Sequence, residues 1–252
     1  MSENFKAPPL TDTLLELEIE INQSIQILND KQQYHGDHFL KIKDKIEIMQ
    51  ASLEIEGSSL TVQQIKSILA GDDVEAPENE VREIINTVMA YEGMDRWSPY
   101  SQKNLLEAHW ILMNNLLNRP GCFRSSASGI SRNGQILHVA PPAGMVPFLI
   151  KELFEFLKNL EYSELIKSCI FHYEFEYIHP FSDGNGRLGR LWQTLFLSRW
   201  NDLFLEVHIE SAIRDRQKEY YEAFNRCGRE IHSGVFVEFM LERILETLLS
   251  YI

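Results

Sequence analysis

Apolar residues recur along most of this chain at steps of three and four, the spacing of one face of an α-helix. Leu14, Leu17, Ile21, Ile25 and Leu28 form a first stripe, broken near Gly36. Phe39, Ile42, Ile46, Met49 and Leu53 form a second. Thr61 followed by Gln64 fits a capping box opening a third helix, which ends around Gly71. The acidic, proline-containing stretch 72–78 reads as a linker before a helix through Val81, Ile84, Ile85 and Val88. Leu105, His109, Leu112 and Leu116 mark another, stopped by Asn118-Arg119-Pro120-Gly121. Residues 121–147 break the rhythm. They are rich in Gly, Ser and Pro, with one β-like run at 136–139 and Asn133-Gly134 as a two-residue hairpin turn. After Val146 the helical pattern returns, with apolar stretches at 163–177 and 191–200. The expected fold class is all-α: seven to nine helices and one small β-hairpin, divided into an N-terminal helical region (1–75) and a larger core (76–252).

A length of 252 residues suits one large domain, or a domain with an appendage. The formal net charge of −13 argues against a nucleic-acid partner, because neutralising a phosphate backbone requires Lys and Arg to dominate. Cys122, Cys169 and Cys227 are far apart and form no C-x-x-C pair, which points away from a zinc site and toward reduced thiols. Acids stand where a signal peptide would be basic, and no apolar run reaches membrane-spanning length. The expectation is a cytoplasmic protein with no membrane partner.

Candidate chemistry concentrates in residues 179–190, His-Pro-Phe-Ser-Asp-Gly-Asn-Gly-Arg-Leu-Gly-Arg. A base and an acid lie on a short loop, followed by glycines and then arginines at a helix start. Glycines let backbone N–H groups approach an anion, and a helix N-terminus adds partial positive charge. Arg187 and Arg190 are three apart, so one helix face presents both to a phosphate chain. Asp183 suits a divalent cation, and His179 is the candidate proton acceptor. Singly, each residue has an ordinary structural explanation; together, at this spacing, they point to polyphosphate chemistry.

This string resembles the Fic signature, H-P-F-x-[D/E]-G-N-[G/K]-R-x-x-R, at every defined position. The resemblance implies transfer of AMP from ATP to a hydroxyl side chain of a protein. His179 would deprotonate that hydroxyl, and Asp183 would bind Mg²⁺. Gly184, Asn185 and Gly186 would form an anion hole, with Arg187 and Arg190 on the β- and γ-phosphates. Pro120-Gly121-Cys122-Phe123-Arg124 and Pro141-Pro142 with Val146-Pro147 resemble the elements flanking the family's flap. The flap is a hairpin whose edge pairs with an extended segment of the target protein, and Gly129, Ile130 and Ser131 would be the residues it offers. Tyr220 and Tyr221 resemble a Tyr-Tyr segment beside the nucleotide; stacking on adenine and core packing are equally open for either ring.

Glu56 extends the second apolar stripe by three residues, with Gly57 placed as a left-handed cap. A carboxylate at a helix C-terminus faces the negative end of the dipole, at a cost of a few tenths to about 1 kcal/mol, so a cationic partner is expected elsewhere. Ser52, four residues earlier, is placed to donate a hydrogen bond to Glu56. Ser52-Leu53-Glu54-Ile55-Glu56-Gly57 resembles the family's inhibitory pattern [S/T]-x-x-x-E-[G/N]. By that resemblance Glu56 would pair with Arg190 and take the place of the γ-phosphate, making 1–75 the region that carries an inhibitory helix.

Three other readings stay open. Removal of AMP from a modified protein would use Glu56 to orient water. A different donor is disfavoured by Gly186, where phosphorylating relatives carry Lys. A non-catalytic nucleotide-sensing module would be expected to have lost His179 or Arg190. Oligomeric state is open; a homodimer through intermolecular reach of the N-terminal helices is one arrangement.

Overall fold

The computed structural model describes residues 4–35, 43–132, 135–207, 209–228 and 232–252. Among them are eleven α-helices and one two-stranded antiparallel hairpin, so the all-α expectation holds while the helix count exceeds seven to nine. The excess comes from the C-terminal third, where only Arg216 separates the short α9 (Glu210–Asp215) from α10 (Gln217–Cys227) and no glycine or proline marks the break. Helix α1 (Asp12–His35) buries Leu14, Ile21, Ile25 and Leu28 from the first stripe and packs against α11 (Gly234–Leu249). Helix α2 (Lys43–Ile55) buries Met49 and Leu53; Gly36, Phe39 and Ile42 of the sequence pattern lie outside the described residues.

The capping box forms as expected. The Gln64 backbone N–H donates to Thr61 Oγ1 (3.3 Å), and the Thr61 N–H donates to the Gln64 side chain (3.0 Å), opening α3 (Val62–Ala70). Helix α4 (Glu78–Glu92) follows Pro77 and packs on α2 and on α5 (Gln102–Leu112). Helix α5 stops a turn before the predicted Leu116, and Asn115 turns left-handed (φ 58°). Strands β1 (Gly129–Arg132) and β2 (Gln135–Val139) make the hairpin, with a register irregularity between Ile130 and Ser131. The proposed turn, Asn133-Gly134, lies outside the described residues.

Helix α6 (Val146–Asn159) flanks the centre of the fold, which is α7 (Glu164–Ile178) against α8 (Asn185–Trp200). Both are buried on nearly every side, so neither shows the one-sided pattern of a surface helix. Helix α8 opens at Asn185, six residues before the apolar stretch that marked it in the sequence. The 179–190 string therefore spans the end of one core helix and the start of the next. No described helix is long and apolar enough to cross a membrane.

Candidate active site

His179 is itself the cap of α7. It adopts a left-handed conformation (φ 48°, ψ 62°) and donates its N–H to the Phe175 carbonyl (2.9 Å). Five residues later Gly184 (φ 81°) starts α8; its turn lies against Met113, where a β-carbon would clash with the thioether. Asn185 closes the loop on itself: its Oδ1 accepts from the Phe181 N–H and its Nδ2 donates to the Phe181 carbonyl, both at 2.9 Å.

Two residues that the sequence reading gave no role hold this loop from outside. His109 stacks on Phe181 with centroids 3.7 Å apart, and its Nδ1 accepts from the Gly121 N–H (2.8 Å). A neutral ring bonded that way carries its proton on Nε2, which donates to the Asp183 carbonyl (3.0 Å). Burial lowers His109 to about 4. Arg124 donates to the carbonyls of His179 (2.7 Å), Ser126 (2.9 Å), Pro141 (2.6 Å) and Ile178 (3.2 Å), tying both ends of the hairpin segment to the start of the 179–190 loop. Its place in Pro-Gly-x-Phe-Arg was visible in sequence, but the four carbonyls come together only on folding.

Burial, then the charge of Arg124 and the ring of His138, lowers His179 to about 4, with Glu56 and Asp183 pulling the other way. The imidazole is therefore neutral at pH 7 and free to accept a proton. Asp183 is exposed; its Oδ1 accepts from the Gly184 N–H (2.6 Å) and lies 3.5 Å from Arg187 Nη2. Arg187 is buried and also meets Glu83 of α4, with Nη1 to Oε1 at 3.0 Å. Burial raises Glu83 above the usual carboxylate range even though Arg187 opposes the shift.

Arg190 is almost wholly enclosed (2% exposed) and points at the end of α2. Its Nη2 donates to Glu56 Oε1 (2.6 Å) and to the Ser52 carbonyl (3.0 Å), while Nε donates to Ser52 Oγ (3.1 Å). Ser52 thus meets Glu56 through the guanidinium, in place of the direct Ser52–Glu56 hydrogen bond expected from sequence. Glu56 Oε1 presses on Gly186, where any β-carbon would collide with it. Burial would raise the Glu56 carboxyl, but Arg190, by charge and hydrogen bond, with Arg187 and His179 adding, holds it below the usual range. Gly57 takes the left-handed conformation expected of it (φ 100°). The end of α2 is fastened further by Gln217, which donates to the Ile55 carbonyl (2.9 Å), and by Arg214, 3.3 Å from Glu54.

A cleft of about 220 Å³ runs past these groups, lined by Glu56, His179, Gly186, Arg190, Tyr221 and, from the hairpin, Gly129 and Ile130. That is below the ~300–1,000 Å³ of most ligand pockets, and Glu56, still 36% exposed, is one of its walls. Ser131 belongs to β1, where it pairs with Ile136. Tyr220 lines the same cleft but is buried. Its hydroxyl bonds His172 Nε2 (3.0 Å), and its ring packs edge-on against Phe236 and Phe239. Core packing therefore describes Tyr220, while Tyr221 is half-buried at the cleft wall. Glu176, also in the wall, is buried and pushed up to about 8 by burial first and Glu56 second.

The Fic/DOC family profile matches residues 99–197. The crystal structure of a Fic family protein from Desulfovibrio desulfuricans G20 superposes with a TM-score of 0.92 at 38% identity, covering 98% of this chain and 76% of that one. Fic-1 from C. elegans shares the fold at 20% identity and a TM-score of 0.76, covering 94% of this chain and 72% of that one. This chain belongs to the Fic/DOC family. Among curated relatives, a probable protein adenylyltransferase from Aquifex aeolicus is 40% identical over 98 residues, 38% of this chain and 27% of that protein. Protein adenylyltransferase Fic from Drosophila melanogaster is 27% identical over 212 residues, 80% of this chain and 41% of that protein. The chain spans well under half the length of these two relatives.

Proposed function

We propose that this protein transfers AMP from ATP to a hydroxyl side chain of a target protein or of itself, and that Glu56 holds it at rest. The observation that carries this reading is the placement of Glu56 Oε1, 2.6 Å from Arg190 and against Gly186, in the cleft where His179 stands. An anionic side chain occupies a built anion site, so a phosphate and Glu56 exclude one another there. The region 1–75 then carries the inhibitory helix and 76–252 the catalytic core. The three cysteines are free thiols, which suits a cytoplasmic protein.

The Gly129–Ile130 edge of the hairpin lays an extended target segment across the cleft, so that its hydroxyl faces the α-phosphorus. His179 takes the hydroxyl proton as the oxygen bonds to phosphorus, and the bond to pyrophosphate breaks on the opposite side. The N–H groups of the first turn of α8, with Arg187 and Arg190, hold the phosphate oxygens, so catalysis is positioning and electrostatics. Asp183 would hold Mg²⁺. The donor set fits, because Mg²⁺ is commonly bound by one or two carboxylates together with substrate phosphates and water. Bound there, the ion would neutralise charge building on the leaving pyrophosphate. Tyr221 closes the nucleotide end of the cleft.

The test is incubation with α-labelled ATP. His179→Ala should abolish label incorporation while nucleotide binding persists; retained turnover would remove His179 as the base. Removal of AMP by the same site is separated by supplying an AMP-modified protein and following loss of the label.

A further inference from the structure

Arg187 meets a carboxylate that belongs neither to the 179–190 loop nor to α2. Glu83 Oε1 lies 3.0 Å from Nη1, while Asp183 Oδ1 lies 3.5 Å from Nη2. The guanidinium is 6% exposed and Glu83 22%. Arg187 Nε and Nη1 are both buried with no hydrogen-bond partner among the described residues, so Glu83 meets Nη1 as an ion pair by charge and proximity. A guanidinium presents five donors in one rigid plane, so anchoring one edge sets the direction of the others. Glu83 anchors the Nη1 edge from one side and leaves Nε unspent.

The anchor stands on a framework. Glu80, one turn before Glu83 on α4, accepts from Ser58 Oγ (2.7 Å) and from the Ser59 N–H (3.2 Å), immediately beyond the end of α2. Helix α4 also packs on α5, which carries His109 and its hold on the Asp183 carbonyl. A buried cation with no fixed counter-charge would bear the full desolvation penalty, or would swing toward Asp183 and take up the carboxylate meant for Mg²⁺.

We propose that Glu83 is a positioning residue: it sets the plane and depth at which Arg187 meets the polyphosphate chain, acting through Arg187 without touching nucleotide. This rests on the nucleotide-transfer reading above. It distinguishes the β- and γ-phosphates from the rest of the ligand, because AMP lacks the groups that Arg187 grips.

The test uses Glu56→Gly as parent, so that Arg190 is released, and compares calorimetric affinities for ATP and AMP in Glu83→Gln, Glu83→Asp and Glu83→Ala. Glutamine keeps size and packing, and melting temperatures identify any variant that is merely unfolded. ATP binding should weaken roughly 10- to 100-fold in Glu83→Gln, as for other residues that orient a ligand-binding group. AMP binding should change less than about twofold, and Glu83→Asp should recover part of the loss. Equal losses for ATP and AMP would make Glu83 a structural residue only. Unchanged or tighter ATP binding would make it irrelevant or a competitor of phosphate. Each of those results overturns this inference alone, whereas a parent that fails to prefer ATP over AMP overturns both readings.

Discussion

Glu56→Gly is the sharpest perturbation the site offers. A charge-assisted hydrogen bond between a carboxylate and an enclosed guanidinium is worth ~1.5–3 kcal/mol. Glu56 is 36% exposed, so solvent screening reduces this to ~1–2 kcal/mol. Released to the γ-phosphate, that energy corresponds to a gain of roughly 5- to 30-fold in ATP affinity or transfer rate, within the range of ordinary coupling between sites. Two structural details bound the number. Clearing Glu56 from Gly186 also opens the amides at the start of α8, which adds to the gain. Arg190 keeps its bonds to Ser52 Oγ and the Ser52 carbonyl, which limits it. The assay is self-labelling with α-labelled ATP, quantified against wild type, with ATP affinity measured in parallel. Glu56→Gln separates charge from shape: if the ion pair is the gate, glutamine gives most of the gain, and if bulk is the gate, it gives little. A folded Glu56→Gly protein with wild-type labelling and wild-type affinity would refute the reasoning outright.

Arg190→Ala should not reproduce the gain, because it removes the phosphate partner together with the inhibitory contact; labelling at or above the Glu56→Gly level would contradict the assignment of Arg190. Stability should also depend on pH through α7. Burial pushes the carboxyls of Glu174 and Glu176 up to about 8, against 4.5 when unfolded, so the folded protein binds their protons more readily. That contribution is complete below about pH 4.5 and is lost as pH rises through 8. His109, His172 and His179, all lowered to about 4 from 6.5, oppose this loss while the unfolded rings still hold protons, an effect half spent at pH 6.5 and gone about one pH unit higher. Melting temperature should therefore fall between pH 6.5 and 8, and Glu174→Gln with Glu176→Gln should flatten that slope; an unchanged slope in the double variant would show that these carboxyls do not set it.

The parts of the site legible in sequence are those whose geometry is local. His179, Asp183, Gly184 and the two arginines lie within one helix–loop–helix, so their spacing alone fixed their grouping. Glu56 was legible for a different reason: it is a carboxylate at the wrong end of a helix, on an apolar stripe, and a local cost asked for a distant partner. Glu83, His109 and Arg124 were hidden because nothing near them in the chain is unusual. Glu83 sits among acids at the start of an ordinary amphipathic helix, and His109 fills a stripe position. Arg124 has its four acceptors on backbone groups, which have no sequence signature. Tyr220 shows the same limit from the other side: its buried network with His172 depends on α7 and α10 meeting, which no periodicity announces. The start of α8 is marked in sequence by the glycines and arginines and not by an apolar pattern, and Gly184 supplies the cap that begins it.

Arg124 imposes a constraint on how such a protein can change. One guanidinium fastens the hairpin segment at Ser126 and Pro141, fastens the loop at Ile178 and His179, and adds its charge to the burial that keeps the His179 ring unprotonated. A lysine there would present one compact charge where a planar fork reaches four carbonyls. Under the proposed function, the surface that would select a protein partner and the group that would accept its proton share a single fixing point. On that reading new partners would be accommodated by altering the outward residues of the strands, while the roots of the hairpin could not drift without shifting His179.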